Sequence, residues 1–229
     1  MADIVTLEQR ALRALRHRDD LPEEVQLLRA SDIPATPIRW LWQGWMAKGK
    51  LHILAGAPGT GKTTIALALA AAVTRGAPFP DGAQGEPGNV LIWSGEDDPA
   101  DTLVPRLMAA GADLQRICII GNVGHGQDAR PFDPAHDIGK LEYAAARFGD
   151  ISLVIADPVV SAVTGDSHKN TEVRRALQPV VDLGRRLDCA VVGISHFSKG
   201  TSGRDPLERV TGSVAFGALA RVVLVTAKG

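Results

Sequence analysis

The chain has 229 residues, against roughly 100–200 for an ordinary domain, so it holds one large domain or one domain with an appendage. Its 25 Lys and Arg balance 26 Asp and Glu, which excludes a broadly basic surface for nucleic acid or anionic membrane; any such contact must be local. With 45% apolar residues, 24 glycines and 14 prolines, the composition is that of a folded chain rich in tight loops, not a disordered one.

From Leu7 to Ala30 the residues Leu7, Ala11, Leu12 and Leu15, then Leu21, Val25 and Leu28, recur at helical spacing with a break near Asp19 to Pro22, which predicts a short helical arm. Pro34 and Pro37 mark a linker, so the expected division is an arm and linker over 1–36 and a main domain over 37–229. Trp40, Trp42 and Trp45 are expected to pack the arm onto the core; no basic residues interleave with them as in a base-stacking platform. Beyond Lys50, apolar strands are predicted at Leu51–Ala55, Val90–Trp93, Ile117–Ile120, Leu153–Ala156, Ala190–Ile194 and Val222–Val225. Helices are predicted at Lys62–Thr74, Pro99–Ala110, Ile138–Phe148 and Val173–Leu187, the last kinked or split at Pro179. Wholly apolar strands alternating with helices indicate an α/β fold with a mainly parallel sheet covered on both faces. Gly76 to Gly88 reads as a surface loop. The last strand nearly coincides with the last residue, which leaves open a truncated piece or a sheet that ends there.

Thr63 to Thr74, the longest uncharged stretch, is shorter than the ~20 residues that span a bilayer, and the N-terminus is charged. A soluble, cytoplasmic protein without membrane contact is expected. Cys118 and Cys189 sit in separate apolar runs and read as buried free thiols.

Gly56-Ala57-Pro58-Gly59-Thr60-Gly61-Lys62-Thr63, with Thr64 next, fits G-x-x-x-x-G-K-[ST] between a strand and a helix, the context a phosphate loop requires. The glycines let the loop turn its amides towards one anion, and the helix adds its positive end. Lys62 would reach the β- and γ-phosphates of ATP, and the Thr63 hydroxyl would bind Mg²⁺. Asp157 closes an apolar strand and is expected to share that Mg²⁺. Pro158 follows it, so the base that activates water must come from elsewhere. Glu96 ends another strand, expected beside the phosphate loop, and takes that role, with Asp98 capping the next helix. His196 closes a third strand, as a candidate contact to the γ-phosphate. A GTPase is disfavoured, the nearest match to a base-reading [NT]-K-x-D being Thr226-Ala227-Lys228-Gly229.

Phosphate loop, Glu96, Asp157 and His196 come in the order found in RecA-like ATPases. From Trp40 onward the chain resembles the plasmid RepA-type hexameric replicative helicases and their AAA_25-type relatives. The resemblance rests on the phosphate loop, Gly95-Glu96-Asp97-Asp98 with Arg106-Leu107, Asp157-Pro158, Asn170 with Val173-Arg174, and His196 with Lys199. It implies a RecA-like P-loop core in a homo-hexameric ring, with ATP at subunit borders and a basic residue from a neighbour completing each site. Arg221, after Gly212 to Phe216, is the candidate for that residue, with Lys228 as a second cation. The family's usual extension beyond the final strand is missing. The similarity also suggests that the loops after Asp157 and His196 line a channel for single-stranded DNA, offering Lys169, Lys199, Arg204 and Arg209. The expected activity is Mg²⁺-dependent ATP hydrolysis by a ring helicase; the rivals are a nucleotide-gated assembly, loading or recombination-type ATPase that does not unwind, and a small-molecule kinase.

Overall fold

A computed structural model describes residues 26–163, 169–198, 203, 209–210 and 214–228. The chain divides into two units, Met1–Pro37 and Ile38–Gly229. In the first, the described residues hold one 3₁₀ turn, Ala30–Asp32, with exposed side chains. The expected arm helix falls almost wholly on residues 1–25, outside the described residues.

The second unit opens with a small antiparallel pair, β1 (Trp40–Trp42) and β2 (Met46–Ala47). Trp42 is buried between Trp45, at 5.1 Å, and Phe79, at 5.0 Å, and its Nε1 donates to Asp81 Oδ2 at 2.9 Å. Trp42 thus pins the Gly76 to Gly88 loop, a packing role that its sequence position did not suggest. The chain continues through β3 (Leu51–Gly56), α1 (Lys62–Arg75) and β4 (Asn89–Ser94). A π-helical turn, Pro99–Leu103, runs into α2 (Val104–Ala109), followed by β5 (Ile117–Ile119). Next come the short pair β6 (Asn122–Val123) and β7 (Arg130–Pro131), then α3 (Pro134–Phe148) and β8 (Ile151–Asp157). The described chain ends with α4 (Asn170–Arg186), β9 (Ala190–His196), α5 (Val214–Leu219) and β10 (Val222–Thr226).

β10, β3, β9, β8, β4 and β5 pair in that order in one six-stranded, wholly parallel sheet. Successive strand residues face opposite sides, so one strand feeds two cores. Ile53, Ala55, Val154 and Ala156 pack with Ile138 of α3, Leu177 of α4 and Phe216 of α5. Leu54, Leu153, Ile155 and Val192 pack with Leu67 and Val73 of α1 and with Leu107 of α2. Both cysteines are free; Cys189 is buried, its thiol pushed up to about 12 by desolvation, and Cys118 is half-buried.

Of the two alternatives at Pro179, the split is excluded: α4 runs through it as one helix, with its buried stripe of Val173, Leu177, Val180 and Leu183 in phase across the proline. The carbonyl left without its usual donor there belongs to Arg175, which is exposed, so water can serve it. The strand bearing Glu96 does not lie beside the phosphate-loop strand: β9 and β8 separate β4 from β3. Among the described residues, no helix is long and apolar enough to cross a membrane.

Candidate active site

A parallel sheet brings every strand's carboxyl end to one edge, where open α/β sheets hold ligands. β3 delivers Gly56 there, directly opposite His196 on one side and Thr226 on the other, while Ser94 at the end of β4 lies opposite Asp157. Residues from Gly56 to Thr226 therefore converge because the topology is parallel.

The loop from Gly56 to Thr64 is tightly built. A Cβ on Gly56 would press on the Thr226 hydroxyl and come within 2.8 Å of Thr60 Oγ1 and 2.9 Å of Thr226 O, so only glycine fits. Gly59 and Gly61 adopt φ of +73° and +83°, and Gly61 hands the chain into α1 in that left-handed conformation. Thr60 Oγ1 donates to Ala57 O at 2.8 Å and shares a 2.6 Å bond with Thr226 Oγ1. Pro58 and Thr64 are exposed. Lys62, 5% exposed, donates through Nζ to Gly56 O at 3.2 Å and Ala57 O at 2.9 Å, folded into the loop it is expected to serve. Burial lowers its pKa, and the carboxylates of Asp157 and Glu96 oppose that shift.

Thr63 Oγ1 donates to Asp157 Oδ2 at 2.7 Å. Asp157 is 6% exposed; burial raises its pKa, the Thr63 bond lowers it, the Glu96 and Asp97 carboxylates raise it further and His196 lowers it. Two hard oxygen donors in contact, beside a phosphate loop, fit Mg²⁺, which takes one or two protein oxygens and completes its shell with water and substrate phosphates. The two groups that the sequence assigned to one Mg²⁺ are thus bonded directly to each other.

Glu96 sits just past β4, where the Gly95 amide donates to Asp157 O at 2.8 Å and ties the turn to β8. Its side chain is 55% exposed, and Oε1 lies 3.9 Å from His196 Nε2. A carboxylate and an imidazole therefore face each other beside the Thr63–Asp157 pair. Asp98 accepts from the amides of Ala100 and Asp101 and caps the following turn, while Asp97 pairs with Arg106 at 3.2 Å.

The remaining expected residues do not join this cluster, although Arg209 and Lys228 line a cavity with Pro58 and Thr60 of the loop. Arg221 is exposed at the amino end of β10, its amide donating to Leu51 O at 2.7 Å, at the opposite edge of the sheet from the phosphate loop. Lys169 precedes α4 and pairs with Glu172 at 3.2 Å. Arg209 has its guanidinium 4.1 Å above the Phe197 ring. Lys199 and Arg204 lie outside the described residues. Thr226 and Phe197, beside the loop, escaped sequence reasoning because only the strand order makes β10 and β9 the flanks of β3.

A phosphate loop on the second strand of a parallel sheet, with a carboxylate two strands away at the end of β8, defines a P-loop ATPase with a RecA-like core. The model of a family described as an AAA domain, AAA_25, matches residues 7–202, and the chain belongs to that family. Comparison with curated protein sequences finds no match.

Proposed function

We propose that this ATPase hydrolyses ATP with Mg²⁺ as the motor subunit of a ring that moves along single-stranded DNA, in the manner of replicative helicases. The observation that carries the hydrolytic part is the convergence of Lys62, Thr63, Asp157, Glu96 and His196 at one sheet edge. The loop amides and the α1 N-terminus bind the phosphates, and Lys62 moves its ammonium from the Gly56 and Ala57 carbonyls to the β- and γ-phosphate oxygens. Thr63 and Asp157 would hold Mg²⁺, which when bound would supply positive charge beside the phosphates. Glu96 orients the attacking water and takes its proton as the water oxygen bonds to the γ-phosphorus and the bond to the β-phosphate oxygen breaks, giving ADP and phosphate. His196, within reach of Glu96 and at the end of the strand next to the loop, responds to loss of the γ-phosphate.

The ring and DNA readings rest on the resemblance to hexameric helicases. In that reading Arg221, away from its own subunit's phosphate loop, would serve the site of a neighbouring copy. Lys169, Lys199 and Arg204 would track DNA phosphates in the channel. ATP turnover with and without single-stranded DNA at low salt, with sedimentation in Mg²⁺-ATP, tests this. A DNA-stimulated rate from a ring is expected; a monomer indifferent to DNA would favour the nucleotide-gated loading or assembly ATPase.

A further inference from the structure

A phosphate loop binds through a concavity of backbone amides, and that concavity keeps its shape only while the loop's carbonyls are held. Lys62 holds two of them, its Nζ donating to Gly56 O at 3.2 Å and to Ala57 O at 2.9 Å. In the ATPase reading the phosphates draw that ammonium away, so each carbonyl then depends on whatever other donor it has. Gly56 O keeps the Phe197 amide at 3.1 Å, and Ala57 O keeps the Thr60 hydroxyl at 2.8 Å.

Thr60 is held in turn by Thr226, the last residue of β10. Their hydroxyl oxygens are 2.6 Å apart, and Thr226 Oγ1 also lies 3.3 Å from Ala55 O. Each hydroxyl carries one proton. Thr60 gives its proton to Ala57 O, so the 2.6 Å bond is made with the proton of Thr226. Ala55 O, beyond the roughly 2.5–3.0 Å usual between two oxygens, is the weaker acceptor. Donation therefore runs from Thr226 to Thr60 and on to Ala57 O, into the loop. Thr226 reaches this place because the parallel register of β10 with β3 sets it opposite Gly56, which lacks the Cβ that would collide with its hydroxyl. β10 is the outermost strand and pairs with β3 alone, so the loop leans on an edge of the sheet.

We propose that Thr226 is a positioning residue for phosphate binding: acting through Thr60, its hydroxyl keeps the loop in its binding shape once Lys62 has turned to the phosphates. The assignment rests on the ATPase reading and adds to it a residue 166 positions away from Thr60 in the chain. Without that hydroxyl the loop must be ordered as ATP binds, so the loss falls on affinity more than on the chemical step. A neutral hydrogen bond of this kind is worth about 2- to 10-fold in a binding constant.

The test compares Thr226→Ser with Thr226→Ala in the full chain, by Mg²⁺-ATP turnover, calorimetric titration with Mg²⁺-ATP and a melt of the nucleotide-free protein. These two side chains differ by the hydroxyl alone, whereas the methyl of a valine would stand about 2.6 Å from Thr60 Oγ1 and press on it. KM and Kd should be about 2- to 10-fold higher in the alanine variant than in the serine variant, with kcat changing by a smaller factor than KM. In a Thr60→Ala background the same two variants should bind alike, because the relay is already cut. Equal KM in the serine and alanine variants would overturn the assignment, whether or not their melting temperatures differ, and so would a difference that persists in Thr60→Ala. Wild type that neither binds nor hydrolyses ATP would overturn the ATPase reading and this one with it.

Discussion

Replacing Glu96 with glutamine removes one charge and one proton acceptor and leaves the shape of the side chain intact. Glu96 is 55% exposed and its contact with His196 is 3.9 Å, so the pair belongs with surface ion pairs, worth about 0–1 kcal/mol. For a chain of this size that limits the change in melting temperature to about 4 °C. The charge of Glu96 is also felt at Lys62 and Asp157, on the phosphate side of the site. Neutralising it makes the site less repulsive to phosphate, so ATP affinity should hold or tighten, by about threefold at most. Turnover is another matter. A positioned general base contributes about 10²–10⁴ in rate, or roughly 2.7–5.4 kcal/mol of barrier. The variant should therefore bind ATP like wild type and turn it over about 100 to 10,000 times more slowly. Nucleotide titration, single-turnover phosphate release and a thermal melt read these three quantities separately. A kcat within about threefold of wild type at saturating ATP would refute the role of Glu96 as base.

Asp157→Asn should end Mg²⁺-dependent turnover yet raise the melting temperature of the nucleotide-free protein at neutral pH. Burial lifts the folded-state pKa of Asp157 above 3.8, so the stabilisation is full above that raised value and vanishes below 3.8, which melts across a pH series would follow. His52 is wholly buried in β3, its Nε2 accepting from the Ala47 amide at 3.0 Å, so its proton sits on Nδ1 and is donated to Val191 O at 3.2 Å. Desolvation depresses its pKa from 6.5; as pH falls below 6.5 the unfolded chain takes up a proton that the folded chain refuses, and stability drops until the depressed value is passed. Urea midpoints should fall over that window in wild type and less steeply in His52→Gln. Gly193→Ala would put a methyl 2.8 Å from Val159 Cβ and Cγ2, an overpacking that costs about 1–3 kcal/mol, read as a lower urea midpoint. An unchanged midpoint would mean that β9 and the turn after Asp157 are more loosely packed than described.

Much of this was legible because the signals are local. Each central strand is an apolar run bounded by turn residues, and all six appear within a residue or two of their predicted limits. The phosphate loop announces itself through glycine spacing. What the sequence hid is set by pairing between distant segments. The order β10-β3-β9-β8-β4-β5 decides that Glu96 meets His196 across β8, and that Thr226 reaches Thr60; no spacing in the chain encodes either contact. The two-residue strands β2, β6 and β7 are too short to show any periodicity. The Arg130–Asp137 pair, bonded at 2.6 and 2.7 Å with Lys140 at 2.8 Å, anchors β7 to the first turn of α3, although in sequence it is only one charge pair among many. Pro179 did not split its helix, because the packing of an in-phase apolar stripe outweighed that local signal.

The most direct test of the account is phosphate release from ATP by the purified chain in Mg²⁺, after Mg²⁺ is chelated, and in Lys62→Ala. The loop geometry predicts steady release by wild type that stops both on chelation and in the variant, since Lys62 and the Thr63–Asp157 pair are the groups that hold the phosphates and the cation. Release that persists in Lys62→Ala at the wild-type rate would contradict the assignment of hydrolysis to this site.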